Sequence, residues 1–246
     1  MLTSPGMRIA VLSDIHSNLP ALDAVLADAG LVDGIWHLGD VVGYGPDPNG
    51  VVSRLRDVGA IGVRGNHDAA ACGGTEIDWF NADARRAMEW TRTAIDGPSV
   101  AWLSALPERR VLEGCELVHG SLREPLWEYI LSPSIARDNL ALLGQPIGLH
   151  GHTHIPVAYV EDGGRVEHVP AHGGTELGLE GHRALVNPGS VGQARDGDPS
   201  ASYLILDPGA GSMTWHRVDY DIEGVQSAMR EAGLPGFLIS RLSIGL

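Results

Sequence analysis

The chain contains no lysine, and its 17 basic side chains are all arginines. They are outnumbered by 31 acidic side chains, so the formal net charge is −14 at pH 7 with histidine counted as neutral. Binding along the backbone of a nucleic acid needs a basic face, and this composition argues against it. A small phosphate ester is a different case, because bound metal cations can reverse the local field.

Cysteine is scarce, and long apolar runs are missing. The two cysteines, Cys72 and Cys115, have no paired spacing and suit a reduced, cytoplasmic chain. No apolar stretch is long enough to cross a membrane, and the start of the chain lacks the regions of a signal peptide, so we expect no membrane contact. Residues 1–6 are expected to be a poorly ordered extension. Residues 7–246 are expected to form one domain, because no linker, repeat or low-complexity tract divides them.

The first half of the chain alternates between short apolar runs and segments with helical periodicity. The pattern predicts strands over residues 8–12, 34–38 and 60–64 and helices over residues 19–29 and 49–58. Such alternation implies parallel strands joined by right-handed crossovers. Residues 69–107 carry two predicted helices, 83–95 and 99–106, which form either a cap beside the functional site or a cover over one face of the sheet.

The second half is richer in strands. Predicted strands lie at residues 109–112, 116–119 and 147–150, and a helix lies at 134–143. Later runs are short and separated by turns, which indicates antiparallel hairpins, at residues 157–160, 165–169, 184–186, 203–206 and 213–218. The glycine-rich residues 171–181 are predicted to form a loop. After a last helix at 222–232, the apolar residues 237–244 pack either on the body of the protein or on a second subunit.

Polar side chains follow the predicted strands at their carboxyl ends, where open α/β sheets bind ligands. Asp14 and His16 are two residues apart on extended backbone, so they point the same way and can reach one metal ion. Alone, this pair also fits a turn-capping aspartate and a surface histidine. The pattern recurs, however, and the full set is Asp14, His16, Asp40, Asn66, His67, His119, His152 and His154.

This set of side chains has the chemistry of a metal centre. Imidazole, carboxylate and amide groups without thiolates suit Mn, Fe, Zn or Ni. One tetrahedral ion cannot use so many ligands, but two ions about 3.5–4 Å apart with a shared carboxylate can. The sequence therefore predicts two divalent metal ions as the cofactor.

Five short motifs together resemble the calcineurin-like metallophosphoesterase superfamily. They are Asp14-x-His16, Gly39-Asp40, Gly65-Asn66-His67-Asp68, His119 and Gly151-His152-Thr153-His154, within residues 8–155. The later segment from Asn187 to Gly192 is similar to one in the small bacterial phosphodiesterase branch. The resemblance implies an α/β fold of two packed mixed β-sheets flanked by helices, a four-layer αββα sandwich.

The resemblance also implies a role for each residue. The first metal would be held by Asp14, His16 and His154, and the second by Asn66, His119 and His152. Asp40 would bridge the two ions. His67 would lie outside the metal ligands and donate a proton to the leaving oxygen. The implied activity is hydrolysis of phosphate esters, with small or nucleotide-like phosphodiesters favoured, by attack of a metal-bridging hydroxide.

The sequence departs from the protein-phosphatase branch of this superfamily. There the Gly-Asp block continues with a further Asp and an Arg, whereas this chain has Gly43 and Tyr44. Phosphoprotein phosphatase activity is therefore not expected. Tyr44 either presents its ring or hydroxyl to the substrate or packs as a turn residue. Arg64 and Arg123 either bind phosphate or pair with carboxylates.

Three other functions stay open at this point. Two are enzymatic, a phosphomonoesterase and a dinucleoside polyphosphate hydrolase. The third is a metal-binding scaffold of the same fold without turnover, but all eight positions are filled, which favours catalysis. The expected partner is a small phosphate ester, and the sequence leaves a homo-oligomer open.

Overall fold

A computed structural model describes residues 6–73, 77–178 and 181–246. The predicted extension, residues 1–6, lies outside the described residues except for Gly6. The strands are Ile9–Leu12 (β1), Gly34–His37 (β2), Ile61–Gly62 (β3), Arg109–Leu112 (β4), Cys115–Val118 (β5), Ile147–Leu149 (β6), Val157–Asp162 (β7), Arg165–Pro170 (β8), Glu176–Gly178 (β9), Arg183–Asn187 (β10), Ala201–Asp207 (β11) and Ser212–Val218 (β12). The helices are Leu19–Ala29 (α1), Pro48–Asp57 (α2), Asn66–Ala71 (α3), Ala82–Ala94 (α4), Gly97–Ser104 (α5), Pro133–Leu140 (α6), Ile222–Glu231 (α7) and Gly236–Arg241 (α8), with a 3-10 helix at Ile77–Trp79.

The strands form two mixed sheets of six strands each. The first has the order β3-β2-β1-β11-β12-β9, and the second has the order β4-β5-β6-β10-β7-β8. Strands β1, β2 and β3 are parallel, as the alternation of the first half predicted, and β5, β6 and β10 are parallel in the second sheet. The remaining neighbours are antiparallel. Parallel strands end at the same edge, so each sheet collects the residues that follow them.

The alternation of side chains along β1 separates the layers. Ile9 and Val11 join the core between the two sheets, whereas Ala10 and Leu12 face the core beneath the helices. A third apolar cluster packs α6 on the outer face of the second sheet. The order of layers is therefore helix, sheet, sheet, helix, which confirms the predicted four-layer sandwich.

The helix α1 starts where the first polar motif ends. Its N-cap is Asn18, whose side-chain oxygen accepts a hydrogen bond from the Ala21 amide at 3.2 Å. The same side chain donates to the carbonyl of Gly192 at 3.0 Å. One residue thus ends the loop after β1 and ties it to the segment after β10.

The helices between residues 69 and 107 mainly cover one face of the first sheet. Ala84, Met88 and Leu103 belong to the same apolar core as β1. This outcome matches the second of the two predicted arrangements. The residues just before α4 nevertheless reach the functional site, as described below.

Local differences from the predicted elements have simple causes. β3 has only two residues, because the chain turns at Gly65 into the unpredicted helix α3. The predicted glycine-rich loop, residues 171–181, contains the strand β9, which pairs with β12, so the loop assignment was wrong there; residues 179 and 180 lie outside the described residues. Leu238 and Ile239 of α8 pack on the body of the protein. Within the described ranges, no helix has both the length and the apolar character to span a bilayer.

Candidate metal centre

The structure brings all eight predicted site residues to one edge of the two sheets. They follow β1, β2, β3, β5 and β6, and every one of them is buried. Three groups of carboxylate and imidazole ligand atoms lie within 4.8 Å of one another: Asp14, His16 and His154; His16, Asp40 and His67; and Asp40, His119 and His152. Clustering is thus observed, while the role of each residue stays a prediction.

The backbone at this edge is strained. Five site residues adopt the left-handed region, with φ of 53° at Asp14, 50° at His16, 50° at Asp40, 67° at His152 and 61° at His154. Residues other than glycine rarely adopt this region, and holding one there costs about 1–3 kcal/mol. Such conformations persist where the surrounding structure and a function demand them.

Four imidazoles have one ring nitrogen fixed by a backbone carbonyl. A carbonyl oxygen only accepts hydrogen bonds, so the nitrogen that faces it carries the proton and, in a neutral ring, the other nitrogen has a free lone pair. The donor and acceptor pairs are His16 Nδ1 to Val42 (3.2 Å), His119 Nδ1 to Leu38 (2.8 Å), His152 Nε2 to Trp127 (3.2 Å) and His154 Nδ1 to Gln193 (2.6 Å). This pattern is the one that orients metal-binding histidines.

The ligand atoms of the first group, Asp14, His16 and His154, converge between the loops that follow β1 and β6. His16 Nε2 and His154 Nε2 are 3.2 Å apart, and the Asp14 Oδ1 atom lies 3.4 Å from His154 Nε2. Asp14 Oδ1 is buried and has no hydrogen-bond partner, whereas Oδ2 accepts from Ser13 Oγ and from the His152 amide. Three acceptors that face one another repel unless a cation lies between them. The donor set therefore fits a metal ion.

The second group converges around His119 Nε2. This atom lies 3.1 Å from His152 Nδ1 and 3.1 Å from Asn66 Oδ1. Two ligands about 2.1 Å from the same cation lie about 3.0 Å apart when they meet at a right angle, which is close to these separations. This donor set also fits a metal ion.

Asp40 stands between the two groups. Its Oδ2 atom is 3.6 Å from His16 Nε2 and 3.4 Å from His119 Nε2, while its Oδ1 atom accepts from the His67 amide at 2.9 Å. Gly65 leaves the space for this carboxylate, because a Cβ atom at that position would lie 2.1 Å from Asp40 Oδ1. The carboxylate thus lies between the two groups of candidate ligand atoms.

Burial sets the charge of the ligands. Desolvation holds the pKa values of His16, His152 and His154 well below the usual range, so these rings are neutral at pH 7. Burial alone would raise the pKa of Asp40, but the charges of His119 and His67 move it far below its usual value. Burial alone would lower the pKa of His119, but Asp40 raises it to about 9. The negative charge that holds this proton would equally hold a cation.

His67 differs from the four carbonyl-bonded histidines. Its Nδ1 atom is buried without a hydrogen-bond partner, and a Cβ atom at Gly43 would lie only 2.4 Å from it. The ring is held instead by aromatic neighbours, with centroids 4.4 Å from Tyr44 and 4.6 Å from Phe80. Position 43 has a φ of 93° and no room for a side chain, so no carboxylate at that position can orient His67. Packing against the aromatic rings orients it instead. Tyr44 also lines the cavity over the site, so both roles considered for it agree with its position.

The segment after β10 supports the loops that carry the candidate metal ligands and supplies none of the predicted ligands itself. The Asn187 amide donates to the Gly151 carbonyl at 2.8 Å and to Thr153 Oγ1 at 3.1 Å. Ser190 Oγ donates to the Asp14 carbonyl at 2.8 Å. The segment resembling the bacterial branch therefore joins the loop after β6 to the loop after β1.

Arg195 is a candidate that sequence analysis missed. Its guanidinium carbon lies 5.9 Å from the Tyr44 ring centroid, it lines the cavity of about 300 Å³ over the site, and its Nε atom is buried without a partner. By contrast, Arg64 pairs with Glu108, and Arg123 pairs with Glu128 and Asp138. The only signal in the sequence was its position three residues after Gly192.

Sequence analysis also missed the aromatic residues of the cavity. Trp79, Phe80, Trp127 and Tyr129 line it together with the candidate metal ligands His152 and His154. They come from the segments before α4 and after β5, which have no motif. The Tyr129 ring lies on the His152 ring with centroids 3.9 Å apart and an angle of 12°.

Other histidines lie outside the site. His37 is buried, and neither of its ring nitrogens has a hydrogen-bond partner. His150 is buried and faces Asn187 at 3.4 Å. The remaining histidines are exposed at His168, His172 and His182 and half-buried at His216.

Comparison with known proteins agrees with this arrangement. A family model described as the calcineurin-like phosphoesterase superfamily domain matches residues 7–211. An uncharacterized protein from Methanocaldococcus jannaschii is 38% identical over 96% of this chain and 98% of its own length. Phosphodiesterase YfcE from Escherichia coli is 31% identical over 82% of this chain and 88% of its own. The crystal structure of a metallophosphoesterase from Sphaerobacter thermophilus is 45% identical with a TM-score of 0.90, over 98% of this chain and 99% of that one.

Proposed function

The chain belongs to the calcineurin-like phosphoesterase superfamily, and we propose that it hydrolyses small or nucleotide-like phosphodiesters with two divalent metal ions. Family membership supports the broader statement, a hydrolase that acts on phosphate esters. The single observation that carries the proposal is the convergence of imidazole nitrogens and carboxylate oxygens on two neighbouring positions, with Asp40 between them.

The proposed division of the ligands between the two ions is the one that the resemblance implies. Asp14, His16 and His154 would hold the first ion, and Asn66, His119 and His152 the second, with Asp40 shared. When bound, Mn, Fe, Zn or Ni ions would supply charge neutralisation at the phosphoryl oxygens and a hydroxide nucleophile at neutral pH.

His67 would act on the leaving oxygen. It lines the cavity next to Asp40, and it has no carbonyl to fix one of its nitrogens. Burial lowers the pKa of His67 to about 4, but the negative charge of a bound phosphate opposes this and favours the protonated ring. The imidazolium would then transfer its proton to the alcohol that departs.

Arg195 would bind a non-reacting phosphoryl oxygen. Among the described residues, no carboxylate forms an ion pair with it, and its side chain already lies at the wall of the cavity. A guanidinium and a phosphate form strong, charge-assisted hydrogen bonds. This residue would take the part of the arginine that is absent at position 44.

Two features favour diesters over phosphoproteins. Position 43 admits no carboxylate beside His67, and the arginine of the protein-phosphatase pattern is replaced by Tyr44. The relative from Escherichia coli is described as a phosphodiesterase. The partner would be a small phosphate ester rather than a nucleic acid or a membrane, and the two free cysteines agree with a cytoplasmic location.

The decisive experiment is a substrate panel. Protein loaded with Mn²⁺ should hydrolyse activated diesters such as methyl p-nitrophenyl phosphate faster than p-nitrophenyl phosphate. A preference for the monoester would reassign the protein to the phosphomonoesterases. If metal-loaded protein hydrolyses neither compound, the proposal is wrong and a scaffold function takes its place.

Metal analysis tests the shared ligand separately. Asp40→Ala should lower the bound metal from two ions per chain to fewer than one, because both metal positions lose the carboxylate that they share. Elemental analysis after gel filtration measures this, with the surface variant Asp57→Ala as the matched control. Two ions retained by Asp40→Ala would remove Asp40 from its bridging role.

A further inference from the structure

The cavity over the candidate metal centre has a wall that the ester chemistry does not use. Three aromatic side chains form it, and we name Trp79, Trp127 and Tyr129 together the aromatic rim. Two of them are unusually exposed for their size, with 66% of Trp79 and 42% of Tyr129 accessible to solvent. Exposed aromatic surface beside a polar site is a feature of ligand binding.

The rim is connected to the site by direct ring contacts. The Trp127 ring lies 5.3 Å from Trp79 and 5.3 Å from Phe80, and Phe80 packs against His67. Tyr129 lies flat on His152, so its exposed area belongs to the opposite face and the edge of the ring. A planar group that entered the cavity would therefore meet aromatic faces beside the candidate metal ligands.

The loop that carries Trp127 and Tyr129 is held firmly. The Trp127 carbonyl accepts the hydrogen bond that orients His152, and Ser121 Oγ donates to Glu128 at 2.6 Å. Glu128 also forms an ion pair with Arg123. Trp127 and Tyr129 flank this anchored carboxylate, so these two rings are positioned by the same loop that orients a candidate metal ligand.

We propose that the aromatic rim binds the base of a nucleotide, so that the substrate is an ester of a nucleoside phosphate. This inference rests on the proposed function, since the rim matters only for a phosphate held at the candidate metal centre. Every base offers a flat face for stacking, and each stacked base changes affinity by about 5- to 150-fold. The cavity of about 300 Å³ exceeds what a phosphate group needs and falls within the range of small-molecule sites.

The charge of the cavity agrees with this occupant. Arg195 lines the cavity near Tyr44 and gives its wall a positive charge. Burial raises the pKa values of Tyr44 and Tyr129, and the charge of Arg195 opposes this rise. A nucleotide brings an anion and a flat ring in one molecule. An apolar chain would match the rim but not Arg195, and a sugar phosphate would match Arg195 but not the rim.

The test compares two ligands that differ only by the base. Binding of adenosine 5′-phosphate and of ribose 5-phosphate to Mn²⁺-loaded protein is measured by titration calorimetry. We expect the base to improve affinity by about tenfold in the wild type and by less than about twofold in Trp127→Leu and Trp79→Leu. Phe237→Leu is the matched control, because Phe237 is 59% exposed and lies outside the cavity, and it should keep the full ratio.

Two outcomes would overturn the rim proposal. One is equal affinity for the two ligands in the wild type, and the other is an unchanged ratio in both tryptophan variants. Trp79 is largely exposed, so Trp79→Leu remains informative even if Trp127→Leu fails to fold. Hydrolysis of methyl p-nitrophenyl phosphate is measured in parallel. Its absence would refute the esterase while the binding ratio still reports on the rim, so the two failures are distinguishable.

Discussion

Two kinds of buried histidine occur in this protein, and they differ in what their ring nitrogens face. His119 gives one nitrogen to a backbone carbonyl and turns the other towards an amide and a carboxylate. His37 is just as buried, but neither of its nitrogens has a partner. Burial alone therefore does not identify a metal ligand. The distinguishing feature is a carbonyl on one side of the ring and converging acceptors on the other.

His67 lies between these two kinds. It belongs to the site by position, yet its Nδ1 atom lacks a partner, as in His37. The comparison supports the proposal that His67 transfers a proton rather than holding a metal ion. The predictions that follow test this division of the histidines, beginning with the largest expected effect.

Replacing either His67 or His119 should remove most of the turnover, but for different reasons. His67 would donate a proton, whereas His119 would hold a metal ion. For His67→Ala we expect a loss of about 10²–10⁴-fold with an ester of a poor leaving group, because a proton donor is missing. The loss should be much smaller with a p-nitrophenyl leaving group, which needs no proton. Metal content should stay at two ions per chain. Equal losses for both leaving groups would remove His67 from the acid role.

His119→Ala and His37→Leu compare the two kinds of histidine directly. We expect His119→Ala to lose one metal ion per chain and about 10²–10³-fold in kcat, as when a group that stabilises a transition state is deleted. His37→Leu should retain both ions. Elemental analysis and steady-state kinetics on both variants provide the measurement. Similar metal contents in the two would break the distinction drawn here.

The arginines also differ in their partners: Arg123 forms ion pairs with carboxylates, whereas Arg195 lines the cavity without one among the described residues. Arg195→Gln should lower kcat/KM by about 10- to 100-fold, because a charged hydrogen bond to the phosphate is lost. Arg123→Gln should change it by less than about threefold, because Arg123 pairs with Glu128 and Asp138 and does not line the cavity. Kinetics with a phosphodiester measure both. An unaltered kcat/KM for Arg195→Gln would exclude Arg195 as a phosphate ligand.

His37 itself gives a prediction for stability. Burial, with a smaller contribution from the charge of Arg110, lowers its pKa from 6.5 to about 3. The unfolded chain then takes up a proton below pH 6.5 while the folded chain does not, so stability is full above pH 6.5 and falls as the pH drops towards 3. This group contributes a slope of ~1.4 kcal/mol per pH unit.

His37→Leu removes that titration. Denaturant unfolding between pH 6 and pH 4 should show a shallower loss of stability in His37→Leu than in the wild type, by up to that slope. His168→Leu, at an exposed position, should follow the wild type. Parallel curves for His37→Leu and the wild type would show that His37 is not held neutral in the folded state.

Much of the fold was predictable because local patterns reflect local physics. The alternation of apolar runs and helical segments identified β1, α1 and β2 and their parallel arrangement. The helix α3 and the strand β9 were not predicted, and the strand β3 is shorter than its predicted range, residues 60–64. Each is short, and its form depends on a glycine turn or on pairing with a distant strand, which a local pattern does not contain.

For the site, the sequence by itself determined which side chains follow the strands, and so which chemistry was available. Only the tertiary structure decided which ring nitrogen of each histidine is free, that position 43 has no room beside His67, and that Arg195 and the aromatic rim enclose the cavity. The physical reason is distance along the chain. Hydrogen bonds such as that from His119 to Leu38 join residues 81 positions apart, and only a folded chain brings such groups together.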